Sequence, residues 1–211
     1  MKGVTFDSWH SYSDLGMILS AKTIGSPSAK TSFIDIPGSD GKLDYTEYFG
    51  EPRYNNRTLS FEFTLIGTDQ LGRYADIQNK LHGKKMNIFL DEDTGFYYNG
   101  RLDVGDFSCD RGIGKLKITA DCSPWKYKSQ ATTVSKTITT SGTVTLSNLR
   151  KSVVPKITTD AAVTLAWTGA SASLGAGSDQ VIPELVLPAG DTVLTVTGSA
   201  NISFSYREAS L

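Results

Sequence analysis

The clearest pattern in the chain is a strict alternation of apolar and polar residues over residues 57–66. The apolar positions are Leu59, Phe61, Phe63 and Leu65. A side-chain period of two is typical of a strand with one buried face. Residues 57–66 are therefore predicted to form a half-buried β-strand.

A helical spacing of apolar and amphipathic residues stands out over residues 69–82. The residues on one face are Leu71, Tyr74, Ala75, Gln78 and Leu81. This spacing predicts an amphipathic α-helix. Thr68 is the expected N-cap, and Gly83 suits the left-handed position that often follows a helix.

Short runs rich in Val, Ile, Thr, Phe and Tyr recur along the rest of the chain, separated by Gly, Pro, Asn and Asp. Strands are predicted over 15–19, 32–36, 45–49, 86–90, 96–104 and 115–122, and then over 133–138, 143–146, 155–159, 163–167, 180–187, 192–197 and 202–206. Regularly spaced short strands favour β-sandwich architecture. The chain is therefore predicted to be mainly β, with one helix.

The composition changes near residue 128, which predicts two domains. Residues 1–128 contain 16 Lys and Arg and 17 Asp and Glu, whereas residues 129–211 contain five of each and are rich in Thr, Ser, Ala, Val and Gly. The predicted organisation is an N-terminal β-sandwich or barrel-like domain with one helix over residues 1–128, followed by a β-sandwich over residues 129–211.

Charge and hydropathy exclude several classes of partner. The net charge is −1 and both parts are near neutral, so neither offers a generic phosphate-binding surface. No apolar run approaches the roughly 18 residues of a membrane-spanning helix. Asp7, His10 and Asp14 interrupt the first 20 residues, which argues against a signal peptide and for synthesis in a cytoplasm.

The chain offers little chemistry for catalysis or cofactor binding. His10 and His82 are the only histidines, and His82 falls at a predicted helix end, where capping explains it. Cys109 and Cys122 are expected to be free thiols. No nucleotide-binding or nucleophile motif occurs, so no catalytic residue, cofactor or metal is predicted. A pair of carboxylates of the glycosidase type stays open, because acids are plentiful and nothing singles out a pair.

Two further features have competing interpretations. The acidic run at residues 91–95 resembles the start of a calcium loop, but its twelfth position is Leu102 instead of a glutamate, which favours an acidic turn. Trp167 is a possible sugar platform. It alternates with Val163 and Leu165, however, which favours burial on their face.

Several segments of the first part resemble the distal tail proteins of phages with long non-contractile tails. They are residues 33–46 (FIDIPGSDGKLDYT), 48–50 (YFG), 54–57 (YNNR), 81–84 (LHGK), 97–101 (YYNGR) and 121–127 (DCSPWKY), in the order found in that family. Residues 196–208 (VTGSANISFSYRE) are similar to the C-terminal, galectin-like β-sandwich of the same proteins.

This resemblance implies a structural role in a virion. Such proteins form a ring, expected to be a hexamer, that joins the tail tube protein above to tail-tip or baseplate proteins below, with a receptor-binding protein as a further possible partner. DNA would pass through the ring without specific binding. The protein would be made and assembled in the host cytoplasm and would reside at the tail tip. No membrane partner is implied.

The segment 36–54 is the candidate surface for contact between subunits, because it combines aromatic and charged residues between two predicted strands. The candidate residues are Asp40, Lys42, Tyr45, Tyr48, Phe49, Arg53 and Tyr54. A hairpin folded back on its own domain is the competing interpretation. Two other functions stay open: a carbohydrate-binding or adhesin module in the second part and, with least support, an enzyme.

Overall fold

The computed structural model describes residues 2–48 and 50–211. The chain folds as two compact units, Met1–Lys126 with Leu211, and Tyr127–Ser210. The described residues form eighteen strands and one helix. Among them, no helix is long and apolar enough to cross a membrane.

Most strands of the first unit form one sheet. The elements are β1 (Val4–Phe6), β2 (Trp9–His10), β3 (Met17–Ile24), β4 (Phe33–Asp35), β5 (Lys42–Asp44), β6 (Arg57–Ile66), α1 (Gln70–Leu81), β7 (Lys85–Leu90), β8 (Phe96–Asp110) and β9 (Ile113–Lys128). The order in the sheet is β2-β1-β7-β8-β9-β6-β3, whereas β4 pairs with β5 in a separate two-stranded sheet.

The core of the first unit lies between this sheet and helix α1. Phe6, Phe61 and Phe63 are buried together, and the Phe6 and Phe61 rings meet edge to face at 6.0 Å. Ile77 and Leu81 contribute the buried face of the helix. Strand β6 alternates buried and exposed residues over the predicted bounds, which confirms the half-buried strand.

The helix begins one residue later than predicted, and Thr68 is not its N-cap. Asp69 caps it from a left-handed conformation with φ 56°, and its carboxylate accepts a hydrogen bond from the Gly72 N–H. Aspartate adopts this conformation more readily than β-branched threonine does. Gly83 follows the helix with φ 72°, as predicted.

The strand predicted over residues 45–49 is wrong, and the strand lies earlier, at β5. The Asp44 carboxylate accepts a hydrogen bond from the Thr46 N–H at 2.9 Å, and the Tyr48 N–H donates to the Tyr45 carbonyl at 3.2 Å. These bonds turn the chain instead of extending it. Strands β1 and β2 were not predicted, because two or three residues are too few to show a period.

The second unit is a sandwich of two four-stranded sheets. Its strands are β10 (Thr132–Ile138), β11 (Ser141–Asn148), β12 (Lys156–Thr159), β13 (Val163–Trp167), β14 (Ala170–Leu174), β15 (Gly177–Val181), β16 (Gly190–Thr197) and β17 (Ala200–Tyr206). A further short strand, β18 (Ala209–Ser210), belongs to neither of these two sheets. The sheet orders are β10-β17-β12-β15 and β11-β16-β13-β14. The mainly β, sandwich-rich fold class is confirmed.

One strand prediction in the second unit is wrong. Residues 180–187 were expected to be a single strand, but β15 ends at Val181. Pro183 lacks an N–H for a strand ladder. The Leu185 N–H then bonds to the Ile182 carbonyl at 3.0 Å, which makes a turn. Leu185 and Leu187 are nevertheless buried in the core of this unit.

Candidate interaction surface

A long hairpin, residues 28–55, leaves the first unit, and we call it the arm. At its base the Asn55 N–H donates to the Ser28 carbonyl at 2.9 Å, and the Lys30 N–H donates to the Arg53 carbonyl at 2.7 Å. Ala29 and Tyr54 form a β-bridge between these bonds. The two chains of the arm are therefore held together from its base.

The far part of the arm is the two-stranded sheet β4–β5. Ile34 pairs with Leu43, and Asp35 pairs with Lys42. The connecting turn passes through two glycines with positive φ. This register places Ile34 and Leu43 on one side of the hairpin, and Ile36, two residues beyond Ile34, on that same side.

Residues 28–44 are all exposed, and they include several large apolar side chains. Ile34, Ile36 and Leu43 are each 46% exposed, and we call this trio the aliphatic face. Phe33, on the opposite side, is 52% exposed. A two-stranded hairpin is marginally stable by itself, and contiguous exposed apolar residues mark interaction sites. The arm thus has the composition of a segment that is covered by a partner.

The candidate interface residues lie on the arm as far as the structure describes them. Lys42 is 3.5 Å from the Asp35 carboxylate in an exposed ion pair, which contributes little stability. The rings of two of the candidates, Tyr45 and Tyr48, contact each other at a tilt of 33°, with their centroids 4.5 Å apart. The remaining candidates are Asp40, near the tip, and Arg53 and Tyr54, near the base. Phe49 lies outside the described residues.

Tyr54 differs from the other candidates because it packs on its own unit. Its ring meets Trp125 edge to face at 5.5 Å. Gly25, just before the arm, lies so close to Thr58 that a Cβ would be 2.6 Å from the Thr58 carbonyl oxygen. The base is therefore fixed to β6 and β9. The sequence interpretation missed Phe33 and the aliphatic face, although alternating Ile34 and Ile36 before a Pro-Gly turn would have indicated them.

Both histidines serve the fold in this structure. His10 Nδ1 accepts hydrogen bonds from the backbone N–H groups of Tyr12 and Ser13, and Nε2 lies 3.2 Å from the Asp91 carboxylate. Burial raises the pKa of Asp91, but hydrogen bonds from His10 and the Gly3 N–H outweigh it and hold the pKa below its usual value. His82 Nδ1 accepts from the Val104 N–H at 3.1 Å.

The acidic run at residues 91–95 forms the turn between β7 and β8, as favoured from the sequence. Glu92 pairs with Lys22, and Asp93 lies 2.9 Å from Lys126. Within residues 2–48 and 50–211, no group of three or more His, Cys, Asp or Glu could hold a metal ion. Both cysteines are free, and burial raises the pKa of the Cys122 thiol to about 12.

The second unit carries a groove of about 530 Å³ on the outer face of sheet β10-β17-β12-β15. Hydroxyl and amide side chains line it, among them Ser135, Thr137, Thr158 and Asn201. Asn201 donates its side-chain amide and its N–H to the Asp160 carboxylate, which lowers the pKa of Asp160.

Trp167 lies away from this groove, in the other sheet of the sandwich. It is half-buried and packs against the core of the second unit. The face it shares with Val163 and Leu165 is the core face, but part of the ring stays accessible. Core burial was expected from the sequence, and the side chain is buried only in part.

Comparison with known proteins decides the fold. No protein-family model matches the chain, and no curated protein matches it. Among solved structures, it is similar to the SPP1 Dit (gp 19.1) protein, described as a paradigm of the hub adsorption apparatus in phages that infect Gram-positive bacteria. The match has a TM-score of 0.70 at 17% identity and covers 98% of this chain and 99% of that one.

The chain has the fold of a phage distal tail protein. Because the match covers both units, the resemblance drawn from short segments of the first part and from the end of the second is confirmed for the fold.

Proposed function

We propose that this protein is a structural component of a phage tail tip, a distal tail protein that assembles with copies of itself into a ring. The observation that supports this most is the whole-length similarity to the SPP1 hub protein. The expected ring is a hexamer at the tail tip of the virion, built in the host cytoplasm.

The first unit closes the ring in this proposal, and the arm is its contact element. A hairpin with an exposed aliphatic face, and with Phe33 among charged residues on its other face, suits an interface with an apolar centre and a polar rim. An arm that reaches a different surface on the next copy makes a head-to-tail contact, and such contacts close into rings when the rotation permits.

The ring joins the tail tube protein to tail-tip proteins, with a receptor-binding protein as a possible additional partner, and DNA passes through its lumen. The net charge of −1 is compatible with a channel that releases DNA. No chemical step is required of the protein. Its two histidines are engaged in backbone and carboxylate contacts, which supports a structural over an enzymatic role.

Size and symmetry of the assembled protein test this proposal. Multi-angle light scattering of the full chain over a range of concentrations should show a species with about six times the 22.8 kDa chain mass. A variant with residues 32–46 replaced by a short Gly-Ser turn should stay monomeric and keep the wild-type melting temperature, because the removed residues lie outside the core. An arm-less variant that assembles as well as wild type would contradict the assigned role of the arm.

A second candidate function is carbohydrate binding by the second unit, and the groove around Asn201 favours it. Its hydroxyl and amide groups could hydrogen-bond to sugar hydroxyls. The residues that line the groove include no aromatic ring on which a sugar could stack, and Trp167 lies in the other sheet. Binding on a glycan array that is lost in Asn201→Ala would support this function, and an array without signal would remove it.

A further inference from the structure

The sandwich of the second unit has four edge strands, β10, β15, β11 and β14. An edge strand has backbone N–H and C=O groups without a ladder partner, and proteins protect such edges with charges, prolines or bulges. Lys136 of β10 donates from its ammonium to the Thr143 carbonyl of β11 at 2.6 Å, so one lysine serves both of these edges. Strand β15 contains Asp179 with φ 53°, and its register with β12 shifts. Three of the four edges are therefore protected.

Strand β14 is different, because its sequence, Ala-Ser-Ala-Ser-Leu, includes no charge and no proline. All of its residues pair with β13 in one unbroken register, from Ala170 opposite Trp167 to Leu174 opposite Val163. Among residues 2–48 and 50–211, no second strand pairs with β14. Its outer backbone groups can therefore form a ladder with an added strand.

One face of β14 belongs to the edge of the hydrophobic core. Ala172 lies opposite Leu165, and Leu174 lies opposite Val163, so these pairs share the core side of the sheet. Val163 and Leu165 are buried, whereas Ala172, Leu174 and Trp167 are only half-buried. The core is thus incompletely covered along this edge.

The opposite face of β14 presents hydroxyl groups. Ser171 and Ser173 are exposed, and the Ser173 hydroxyl lies 3.1 Å from that of Thr164 on β13. On the next strand of the sheet, β16, Thr195 and Thr197 are also exposed. An added strand would therefore meet half-buried apolar side chains on one face and uncharged hydroxyls on the other.

The edge is held in a fixed position without a partner. The hydroxyl contact between Thr164 and Ser173 joins it to β13, and the Gln180 side-chain amide donates to the Gly175 carbonyl, just after β14, at 2.9 Å. Gly177 leaves room for this amide, because a Cβ there would lie 2.9 Å from its nitrogen. A rigid edge loses little conformational entropy when a segment binds.

We propose that β14 is a docking edge for an extended segment of a different protein, in which large apolar residues alternate with uncharged polar residues. The segment adds a strand to the sheet β11-β16-β13-β14, so that main-chain hydrogen bonds supply affinity and alternate side chains supply specificity. Its apolar residues cover Trp167, Ala172 and Leu174, and its polar residues extend the hydroxyl face. This inference concerns the second unit alone and holds whether or not the first unit forms a ring.

A second copy of β14 is a poor occupant of this edge. Two such strands paired antiparallel about their centres would place Ala172 opposite Ala172 and Ala170 opposite Leu174. Alanine side chains are small and would leave the accessible part of Trp167 uncovered. Valine, isoleucine or an aromatic residue at these positions buries more apolar surface, which favours a different chain as the partner.

Peptide binding to the full chain tests the docking edge. The probe is a fluorescent peptide with the sequence Thr-Val-Thr-Val-Thr-Val-Thr between Gly-Ser ends, and fluorescence anisotropy measures its affinity. It should bind, and hydrogen exchange measured by mass spectrometry should show added protection at residues 170–174. A peptide of the same composition in block order, and one N-methylated at every Thr and Val, should each bind at least tenfold more weakly, because the first lacks the alternation and the second lacks the donors.

Matched variants locate the site on the protein. Ser171→Lys with Ser173→Lys places charges on the edge strand and should weaken peptide binding at least tenfold. Thr195→Lys with Thr197→Lys adds the same charges to the same face on β16, an inner strand, and should bind the peptide as wild type does. All four positions are exposed, so both variants should keep the wild-type melting temperature.

Four results would overturn the docking edge. Three come from the peptides: no binding of the alternating peptide at millimolar concentration, equal binding of the N-methylated peptide to wild type, or loss of binding in the β16 variant alone. The fourth is a smaller assembly for the edge variant than for the β16 variant in light scattering, which would show that a second copy covers β14. The mass of the wild-type assembly tests the ring separately, because the peptide addresses the second unit alone.

Discussion

Removing the aliphatic face of the arm should weaken assembly of the proposed ring while leaving the fold intact. The perturbation is the triple variant Ile34→Ser, Ile36→Ser, Leu43→Ser. Each side chain is 46% exposed, so roughly half of it remains to be buried by a partner. Full burial of such a side chain stabilises by about 1.5–3 kcal/mol, which leaves about 1 kcal/mol for each residue. The sum of about 3 kcal/mol for each contact corresponds to a roughly 100-fold weaker association.

Sedimentation velocity over a hundredfold concentration range measures this shift, and calorimetry measures stability in the same samples. The matched control carries Val181→Ser, Val186→Ser and Val193→Ser, three exposed aliphatic residues of the second unit. The control should assemble like wild type. Unchanged assembly of the arm variant, or equal loss in both variants, would refute the argument that the aliphatic face is an interface.

Three further predictions concern the single chain. Gly100→Ala should destabilise the chain by about 1–3 kcal/mol, because the added Cβ would overlap with the Cys122 sulfur and crowd the sheet. An unchanged melting temperature in thermal unfolding would contradict this prediction. Thiol titration at pH 8 should find one reactive thiol, Cys109, in the folded protein and two in denaturant, because burial raises the pKa of the Cys122 thiol to about 12. Rapid reaction of both thiols in the folded protein would contradict the burial of Cys122. Residues 127–211 expressed alone should unfold cooperatively, because their core is self-contained, and a far-ultraviolet spectrum of disordered chain would count against this.

Elements with one buried face were predictable from the sequence. Strands β6 and β13 have the predicted bounds, because alternation of apolar and polar residues reports directly on which side faces a core. Helix α1 was also found to within one residue at each end. The fold of the whole chain was predicted from its resemblance to phage distal tail proteins. Several short segments in the family's order carry more information than any one segment alone.

Other features depend on contacts that a local pattern does not report. Residues 45–48 have the aromatic content of a strand, but the Asp44 side chain turns the chain there. The segment 182–187 is apolar because it fills a core and not because it is extended. The aliphatic face of the arm belongs to neither core, so a local pattern of buried and exposed positions does not report on it.

The most direct test of the proposed ring is electron microscopy of the purified chain, with class averages analysed without imposed symmetry. We expect closed rings with sixfold symmetry, a central channel, and the arm of each subunit in contact with its neighbour. Symmetric dimers, open filaments, or rings whose arms stay folded against their own subunit would contradict it.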